Sequence, residues 1–159
     1  MPQRLQQEIK QPKPFPSLEA KTFVNLLRTS SMFIAQLNDE LRAADLSQPQ
    51  YNVLRILRGA GPEGLPSGEI GARMVSRDPD ITRLLDRLET RGLVARVRGE
   101  ADRRVVTVRL TAGGREAVDA LDTPMQKLHA RQLGHLSRAD LSTLNRLLEK
   151  ARAASEPEP

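Results

Sequence analysis

Arg83, Arg87 and Arg91 recur every four residues, which places their side chains in one row along a helix. A guanidinium group donates hydrogen bonds in a planar fork that matches phosphate oxygens and the edge of a guanine base. Like charges at this spacing repel each other by roughly 0.2–0.5 kcal/mol per pair, and Arg87 has no acidic residue three or four positions away. We therefore interpret this arginine row as a site for an anion, with a solvated charged surface as the alternative.

The charge of the chain is concentrated around the arginine row. The 159 residues carry a formal charge of +5. Between Ser67 and Arg115 there are eleven basic residues, all of them arginine, and seven acidic residues, so this segment holds +4 of the total. A basic surface attracts nucleic acid, but charge alone does not separate this function from a solvated surface.

The helix that carries the arginine row has an apolar face and a polar face at about 100° per residue. Its apolar face consists of Ile81, Leu84, Leu85 and Leu88. Its outward face consists of Arg83, Asp86 and Thr90, flanked by Thr82 and Arg87. Asp78 is the predicted N-cap, with Pro79 at the first helical position. Gly92 is the predicted stop.

A short helix capped by Ser67, a turn and this helix together have the order of a helix-turn-helix. In that motif the second helix enters the major groove of DNA. Arg83 is then placed to bind a guanine, and Thr82 to contact a thymine methyl group or a phosphate. Ser76 and Arg77, in the turn, are placed to meet phosphates.

Asp80 and Arg87 are also predicted to belong to the DNA-binding surface of this helix. Asp80 lies three residues before Arg83, and Asp86 lies three residues after it, so either carboxylate can reach its guanidinium group.

A β-hairpin is predicted after the helix, with strands over residues 93–98 and 105–110 and a projecting charged loop between them. Arginine at a hairpin tip can enter a narrow minor groove, where the potential is most negative. The predicted contacts are Arg103 and Arg104, and Asp102 is placed to orient Arg104 through a charge-assisted hydrogen bond.

These elements predict a mostly α fold with a small β-hairpin wing, in which a winged helix-turn-helix is flanked by long dimerisation helices. Residues 1–16 form an extended, proline-rich arm in which Leu5 and Ile9 allow a short docking helix, residues 47–110 the winged unit, and residues 17–46 and 111–154 the helical dimerisation region. Intramolecular packing of the flanking helices is the alternative to a homodimer.

Helix starts and stops support this division of the chain. Predicted N-caps are Ser17, Ser47, Thr111 and Ser137, and the helices from Ser17 and Ser47 are expected to end near Ala44 and Leu57. Pro124 is expected to break the helix that follows Thr111 near residue 123.

The segment over residues 46–118 resembles the MarR family of bacterial transcription regulators. The most specific parts are "ITRLLDRLETRGLV", then "DRR" in the hairpin, then "VRLTAGG" leading into a helix. One departure is Asp78-Pro79-Asp80, because small polar residues are more usual at the start of the DNA-reading helix in this family.

The resemblance implies a winged-helix homodimer that binds a pseudo-palindromic operator, usually as a repressor. It implies that the helix from Asp78 to Arg91 reads the major groove and that Arg104, held by Asp102, enters the minor groove. It also implies DNA contacts from Ser76, Thr82 and Arg83. Many members release DNA when a small aromatic or otherwise anionic effector binds between the winged and helical regions.

Composition argues against several other functions. Cysteine is absent, which removes thiolate chemistry and peroxide sensing through thiols. Two histidines, His129 and His135, are too few for a histidine-rich metal site, and the neighbouring carboxylates Asp39 and Glu40 do not face each other on a helix. We expect no catalytic, cofactor or metal site.

The start of the chain shows no signal peptide, and the longest apolar run has four residues, so we expect a cytoplasmic protein without membrane contact. The remaining alternative to a sequence-specific regulator is a winged-helix module for protein–protein contact or non-specific DNA binding.

Overall fold

The computed structural model describes residues 4–76, 80–98 and 106–153. The helices in these ranges are α1 (Arg4–Glu8), α2 (Leu18–Arg42), α3 (Gln48–Ala60), α4 (Ser67–Arg73), α5 (Ile81–Thr90), α6 (Ala112–Asp119), α7 (Asp122–Leu133) and α8 (Arg138–Ala153). The strands are β1 (Leu65–Pro66), β2 (Val94–Arg98) and β3 (Val106–Leu110). This mostly helical architecture with a small antiparallel sheet confirms the predicted fold class.

Side-chain caps fix most of the predicted helix starts. Ser17 accepts a hydrogen bond from the Ala20 amide at 3.1 Å, and Thr111 accepts one from the Gly114 amide at 2.9 Å. Ser47 forms a capping box with Gln50. The prediction for Ser67 was wrong, because Ser67 is already helical and makes no capping hydrogen bond. The reason is that strand pairing extends through Pro66, which leaves the proline as the cap.

The sheet contains a strand that the sequence pattern did not predict. Its order is β1-β3-β2, so β1 adds an outer strand to the hairpin and pairs Leu65 with Val108. Gly64 precedes β1 with a φ of +70°, and a Cβ atom there would lie 2.1 Å from the Val108 carbonyl oxygen. Only glycine permits both this backbone conformation and this close approach.

The core joins the winged unit to the ends of the flanking helices. Its fully buried side chains come from both regions: Leu41, Val53, Leu54, Leu57, Ile70, Leu85, Leu88, Val94, Val108, Val118 and Leu128. Burial of a Leu, Ile or Val side chain stabilises a fold by about 1.5–3 kcal/mol, so this shared core holds α2, α6 and α7 against the winged unit.

The break in the helix after Thr111 lies earlier than predicted. α6 ends at Asp119 and α7 begins at Asp122, so Pro124 sits in the first turn of α7 rather than at the break. Proline has no amide hydrogen to donate to the carbonyl group of Ala120 four residues earlier, and its ring would clash with it. The helix therefore ends ahead of the proline, which then takes a position in a first turn where no donor is required.

Two helices present apolar side chains to solvent. On α2 these are Leu18, Phe23, Leu26, Leu27, Met32 and Ile34, and on α8 they are Leu144 and Leu147. None of the residues of α8 is buried. The other side of α2 contacts α7, where the Gln132 side-chain amide donates to the Phe33 carbonyl oxygen at 3.1 Å.

Part of the predicted extended arm is helical. Residues 4–8 form α1, and Leu5 is only 5% exposed. Glu8 forms an ion pair with Arg4 at 2.9 Å. The short docking helix suggested by the spacing of Leu5 and Ile9 is therefore present.

Candidate nucleic-acid interface

The DNA-reading helix predicted from the sequence is α5, and its start differs from the prediction. Asp80, rather than Asp78, is the N-cap, and its carboxylate accepts a hydrogen bond from the Arg83 amide at 3.1 Å. Asp78 and Pro79 lie outside the described residues. Both aspartates are good capping residues, and the backbone amide at Arg83 is within reach of Asp80 only when the helix begins at Ile81.

The end of α5 follows the prediction. Gly92 has a φ of +68°, and its amide donates to the Glu89 carbonyl oxygen at 2.8 Å. The Leu93 amide donates to the Leu88 carbonyl oxygen at 3.0 Å. This pair of bonds is a Schellman motif, which glycine at the left-handed position allows.

The two faces of α5 are separated as the periodicity predicts. Leu85 and Leu88 are fully buried, and Leu84 is nearly so. The exposed residues are Thr82, Arg83, Asp86, Arg87 and Thr90. Because the apolar face is buried in the core, the polar face is held outward and cannot rotate away without exposing the leucines.

The three residues of the arginine row lie in different environments. The Arg83 side chain is 79% exposed and forms an ion pair with Asp80 at 3.1 Å. Arg87 forms no ion pair with any residue that the structure describes. Arg91 instead faces the loop between α2 and α3, where it donates to the Asp45 carbonyl oxygen and pairs with the Asp45 carboxylate at 3.3 Å.

The turn before α5 is held by a residue that the sequence reasoning missed. The Asn52 side chain on α3 accepts a hydrogen bond from the Val75 amide at 2.8 Å. Ser76 is exposed directly after this anchor, whereas Arg77 lies outside the described residues. The role of Asn52 could not be predicted from local sequence, because its partner lies 23 residues away.

The wing is tied to α5 by Arg96, a second residue that was not predicted. Its guanidinium group contacts Asp86 at 2.6 Å and also pairs with Glu89. Asp86 therefore pairs with Arg96 of the wing and not with Arg83, so one of the two predicted pairings of Arg83 was wrong. Burial opposes the charge on Arg96, but its hydrogen bonds to these carboxylates outweigh that effect and raise its pKa. Arg96 thus fixes the direction in which the hairpin leaves the helix.

The tip of the hairpin lies outside the described residues, and with it the predicted contacts Asp102, Arg103 and Arg104. The described parts of the strands are in register up to this point, with Arg98 opposite Val106.

An open groove of about 890 Å³ lies beside α5, between it, the end of α2 and the start of α3. Its lining includes three arginines, Arg42, Arg87 and Arg91, and the polar side chains of Asn38 and Gln50. Arg42 pairs with Asp39 at 3.0 Å, and Arg91 pairs with Asp45 as described above. Arg87 is therefore the cation in this groove whose charge no described acidic group neutralises.

Other kinds of site find no support in the described part of the chain. It contains no cluster of three or more potential metal ligands among histidine, aspartate and glutamate, and both His129 and His135 are exposed. No helix in these ranges has both the length and the apolar character needed to cross a bilayer.

Comparison with known proteins identifies the family to which the sequence belongs. The model of the MarR family matches residues 46–106. The multiple antibiotic resistance protein MarR of Salmonella typhimurium is 33% identical over 121 residues, which cover 72% of this chain and 78% of that protein.

Two solved structures extend the comparison to the fold. The crystal structure of a MarR transcription factor from Planctomyces limnophilus is 43% identical, with a TM-score of 0.65, and the match covers 86% of this chain and 98% of that one. CouR from Rhodococcus jostii, solved with p-coumaroyl-CoA, is 25% identical, with a TM-score of 0.73 and coverage of 91% and 99%. The chain belongs to the MarR family, whose members are DNA-binding transcription regulators and not enzymes.

Proposed function

We propose that this protein is a repressor that binds a pseudo-palindromic operator as a symmetric homodimer, with α5 of each copy in the major groove. The observation that carries this proposal is the outward face of α5. Thr82, Arg83 and Arg87 are exposed there, and the opposite face of the helix is buried in the core. A rigid helix with an exposed fork donor satisfies the geometry of base recognition.

Arg83 is the principal base-reading residue in this proposal. In the free protein it pairs with the N-cap Asp80, which holds its guanidinium group near the start of the helix. A guanine edge offers two acceptors to the Arg83 guanidinium group, which has five N–H donors. Asp80 can therefore stay bonded to one N–H of Arg83 while two others bind the base. Thr82 lies beside Arg83 for a thymine methyl group or a phosphate.

The turn and the wing supply the remaining contacts. In this proposal Ser76 and Arg77 contact phosphates near the positive end of α5. In this proposal Arg103 and Arg104 contact DNA from the predicted hairpin loop, and Asp102 orients Arg104 in the minor groove. Arg96 supports this placement because it ties the base of the hairpin to α5.

The homodimer is supported by the apolar surface of α2 and α8. Phe23 is 62% exposed, and α8 has no buried residue although its leucines share one face. A second copy of the chain covers such surfaces symmetrically and presents two reading helices to two half-sites. Binding to an operator also places the working protein in the cytoplasm, with the chromosome.

The groove beside α5 is the proposed effector site. Its walls come from the helical region and from the reading helix, and Arg87 belongs to both the groove and the DNA-facing helix. An anion bound there would compete with phosphate for Arg87 and weaken DNA binding. CouR was solved with p-coumaroyl-CoA, a ligand that combines an aromatic ring with phosphate groups. Screening aromatic carboxylates and phosphate esters for release of bound DNA tests this part.

Selection of preferred duplexes from random DNA, followed by gel shifts at several salt concentrations, tests DNA recognition. We expect a palindromic preference and an affinity that falls steeply with salt. Arg83→Ala should relax the preference at one position of each half-site, at a cost of about 1–3 kcal/mol. Arg104→Ala should weaken binding to most sequences. The control Lys127→Ala removes an exposed charge on α7 and should change neither the sequence preference nor the affinity.

Equal affinity for all sequences would instead support a non-specific architectural module. Absence of a gel shift at low salt would overturn the proposal.

A further inference from the structure

A single arginine on α3 bridges the break between α6 and α7. The Arg58 guanidinium group contacts Asp119, the last residue of α6, at 2.8 Å. It also binds both carboxylate oxygens of Asp122, the first residue of α7, at 2.8 and 3.0 Å. Only 25% of the Arg58 side chain is exposed.

These contacts are stronger than those of an ordinary surface ion pair. A bidentate arginine–carboxylate pair has a defined direction, and a third contact to another carboxylate restricts the guanidinium group further. Hydrogen bonds from Arg58 lower the pKa of Asp122. Hydrogen bonds to Asp122 and Asp119 raise the pKa of Arg58. Arg58 and Asp122 are thus both charged near neutral pH.

The bridge lies where the winged unit meets the helical region. α3 belongs to the core of the winged unit through Val53, Leu54 and Leu57. α7 belongs to the helical region, because Gln132 donates to the Phe33 carbonyl oxygen of α2. A change of angle at the junction would therefore move α5 relative to α2 and α8.

The two helices are joined by a short stretch with its own backbone hydrogen bonds: the Leu121 amide donates to the Val118 carbonyl oxygen at 3.2 Å, and the Met125 amide donates to the Leu121 carbonyl oxygen at 2.9 Å. Ala120 and Leu121 separate the two helices, and both have right-handed helical dihedrals. Pro124 cannot donate to the Ala120 carbonyl group, so one helical bond is missing at this point. The side chain of Arg58 adds an attachment to both helix ends, beside these backbone bonds and the burial of Leu121.

We propose that Arg58 is a positioning residue that fixes the angle between the winged unit and the helical region, and so the separation of the two reading helices. This inference rests on the proposed dimeric DNA-binding function. Its consequence is a preference for one spacing between half-sites, because a fixed angle allows both copies of α5 to engage DNA at only one separation.

Two measurements on Arg58→Gln test the inference. The first is affinity for a panel of duplexes whose half-sites are moved apart or together one base pair at a time. We expect the wild-type preference for its best spacing to fall by roughly 2–30-fold in the variant, while binding to a single half-site is unchanged. Arg58→Lys keeps the charge but cannot form the bidentate pair, so its spacing preference should lie between those of the wild type and Arg58→Gln.

The second measurement needs neither DNA nor a dimer. The chain has no cysteine, so Thr82→Cys and Gln126→Cys provide a unique pair of spin-label sites on α5 and α7. Labelled chains diluted into unlabelled protein report the distance within one molecule. We expect a broader distance distribution in Arg58→Gln than in the wild type.

The matched control is Arg55→Gln on the same helix. The Arg55 guanidinium group lies 5.8 Å from the Tyr51 ring centre and forms no ion pair with Asp119 or Asp122, so this variant removes a charge that acts on Asp122 but no contact of the bridge. It should preserve both the spacing preference and the distance distribution. If Arg58→Gln merely lowers the melting temperature and leaves both readouts at wild-type values, the inference is wrong. Absence of specific DNA binding by the wild type would reject the proposed function. The distance measurement, which uses no DNA, would still test the role of Arg58.

Discussion

At the scale of single residues, Asp80 has two roles that a substitution can separate. Its carboxylate caps α5 through the Arg83 amide and also pairs with the Arg83 side chain. We expect Asp80→Ala to lower the free energy of unfolding by about 1 kcal/mol, because the cap is lost. Asp80→Asn keeps a capping oxygen and should leave stability nearly unchanged. Urea denaturation measures both, and equal losses in the two variants would show that the charge, rather than the cap, stabilises the helix.

The sequence allowed some side-chain environments to be predicted but not others. The exposure of Thr82, Arg83 and Arg87 follows from helical periodicity, which is a local property. The pairing of Arg91 with Asp45 joins residues 46 positions apart. Arg96 likewise selects Asp86, ten residues away. Such pairs depend on how elements pack, and spacing within one helix carries no information about them.

At the scale of elements, the helices were more predictable than the weakest strand. Ser47 and Thr111 begin helices through side-chain bonds to nearby amides, so a short stretch of sequence is sufficient to identify each cap. β1 has only two residues, too few for an alternating pattern, and it exists because Leu65 meets Val108. The position of the α6–α7 break was displaced because Pro124 is compatible with a first helical turn.

Neighbouring glycines at the start of α6 give opposite predictions for the same substitution. A Cβ atom at Gly114 would lie 1.9 Å from the Leu93 carbonyl oxygen, whereas one at Gly113 would make only ordinary contacts, the nearest at 3.7 Å. Gly114→Ala should lower the free energy of unfolding by about 1–3 kcal/mol, because α6 must move away from the strand β2 region. Gly113→Ala should raise it by up to about 1 kcal/mol through helix propensity.

Thermal or urea denaturation of both variants makes this comparison. Equal effects of the two substitutions would contradict the close packing of α6 against residue 93. Because α6 leads directly into the Arg58 bridge, Gly114→Ala also reveals whether the junction moves when the start of α6 is displaced.

At the scale of the whole molecule, the exposed apolar face of α8 predicts how the proposed dimer responds to an added charge. Leu147 is 49% exposed in the single chain, whereas Ser142 lies on the opposite side of the same helix. In a symmetric interface each substitution occurs twice, so its effect on the dimer is doubled. Full burial of an exposed leucine is worth about 1.5–3 kcal/mol, and about half of that surface of Leu147 remains to be buried in each copy, so Leu147→Asp should weaken association by at least about tenfold. Ser142→Asp adds the same charge and should leave the dimer intact.

Sedimentation equilibrium over a range of concentrations measures this difference, and gel shifts connect it to function. If α8 holds two copies together, Leu147→Asp should shift the population to single chains and lose most affinity for a two-half-site operator. Its affinity for an isolated half-site should remain, because α5 and its core are unchanged. A wild-type protein that sediments as a single chain at micromolar concentration would contradict the dimer. No residue of α8 is buried, so the winged unit should not depend on α8 for its own stability. Loss of half-site binding in Leu147→Asp would contradict this expectation.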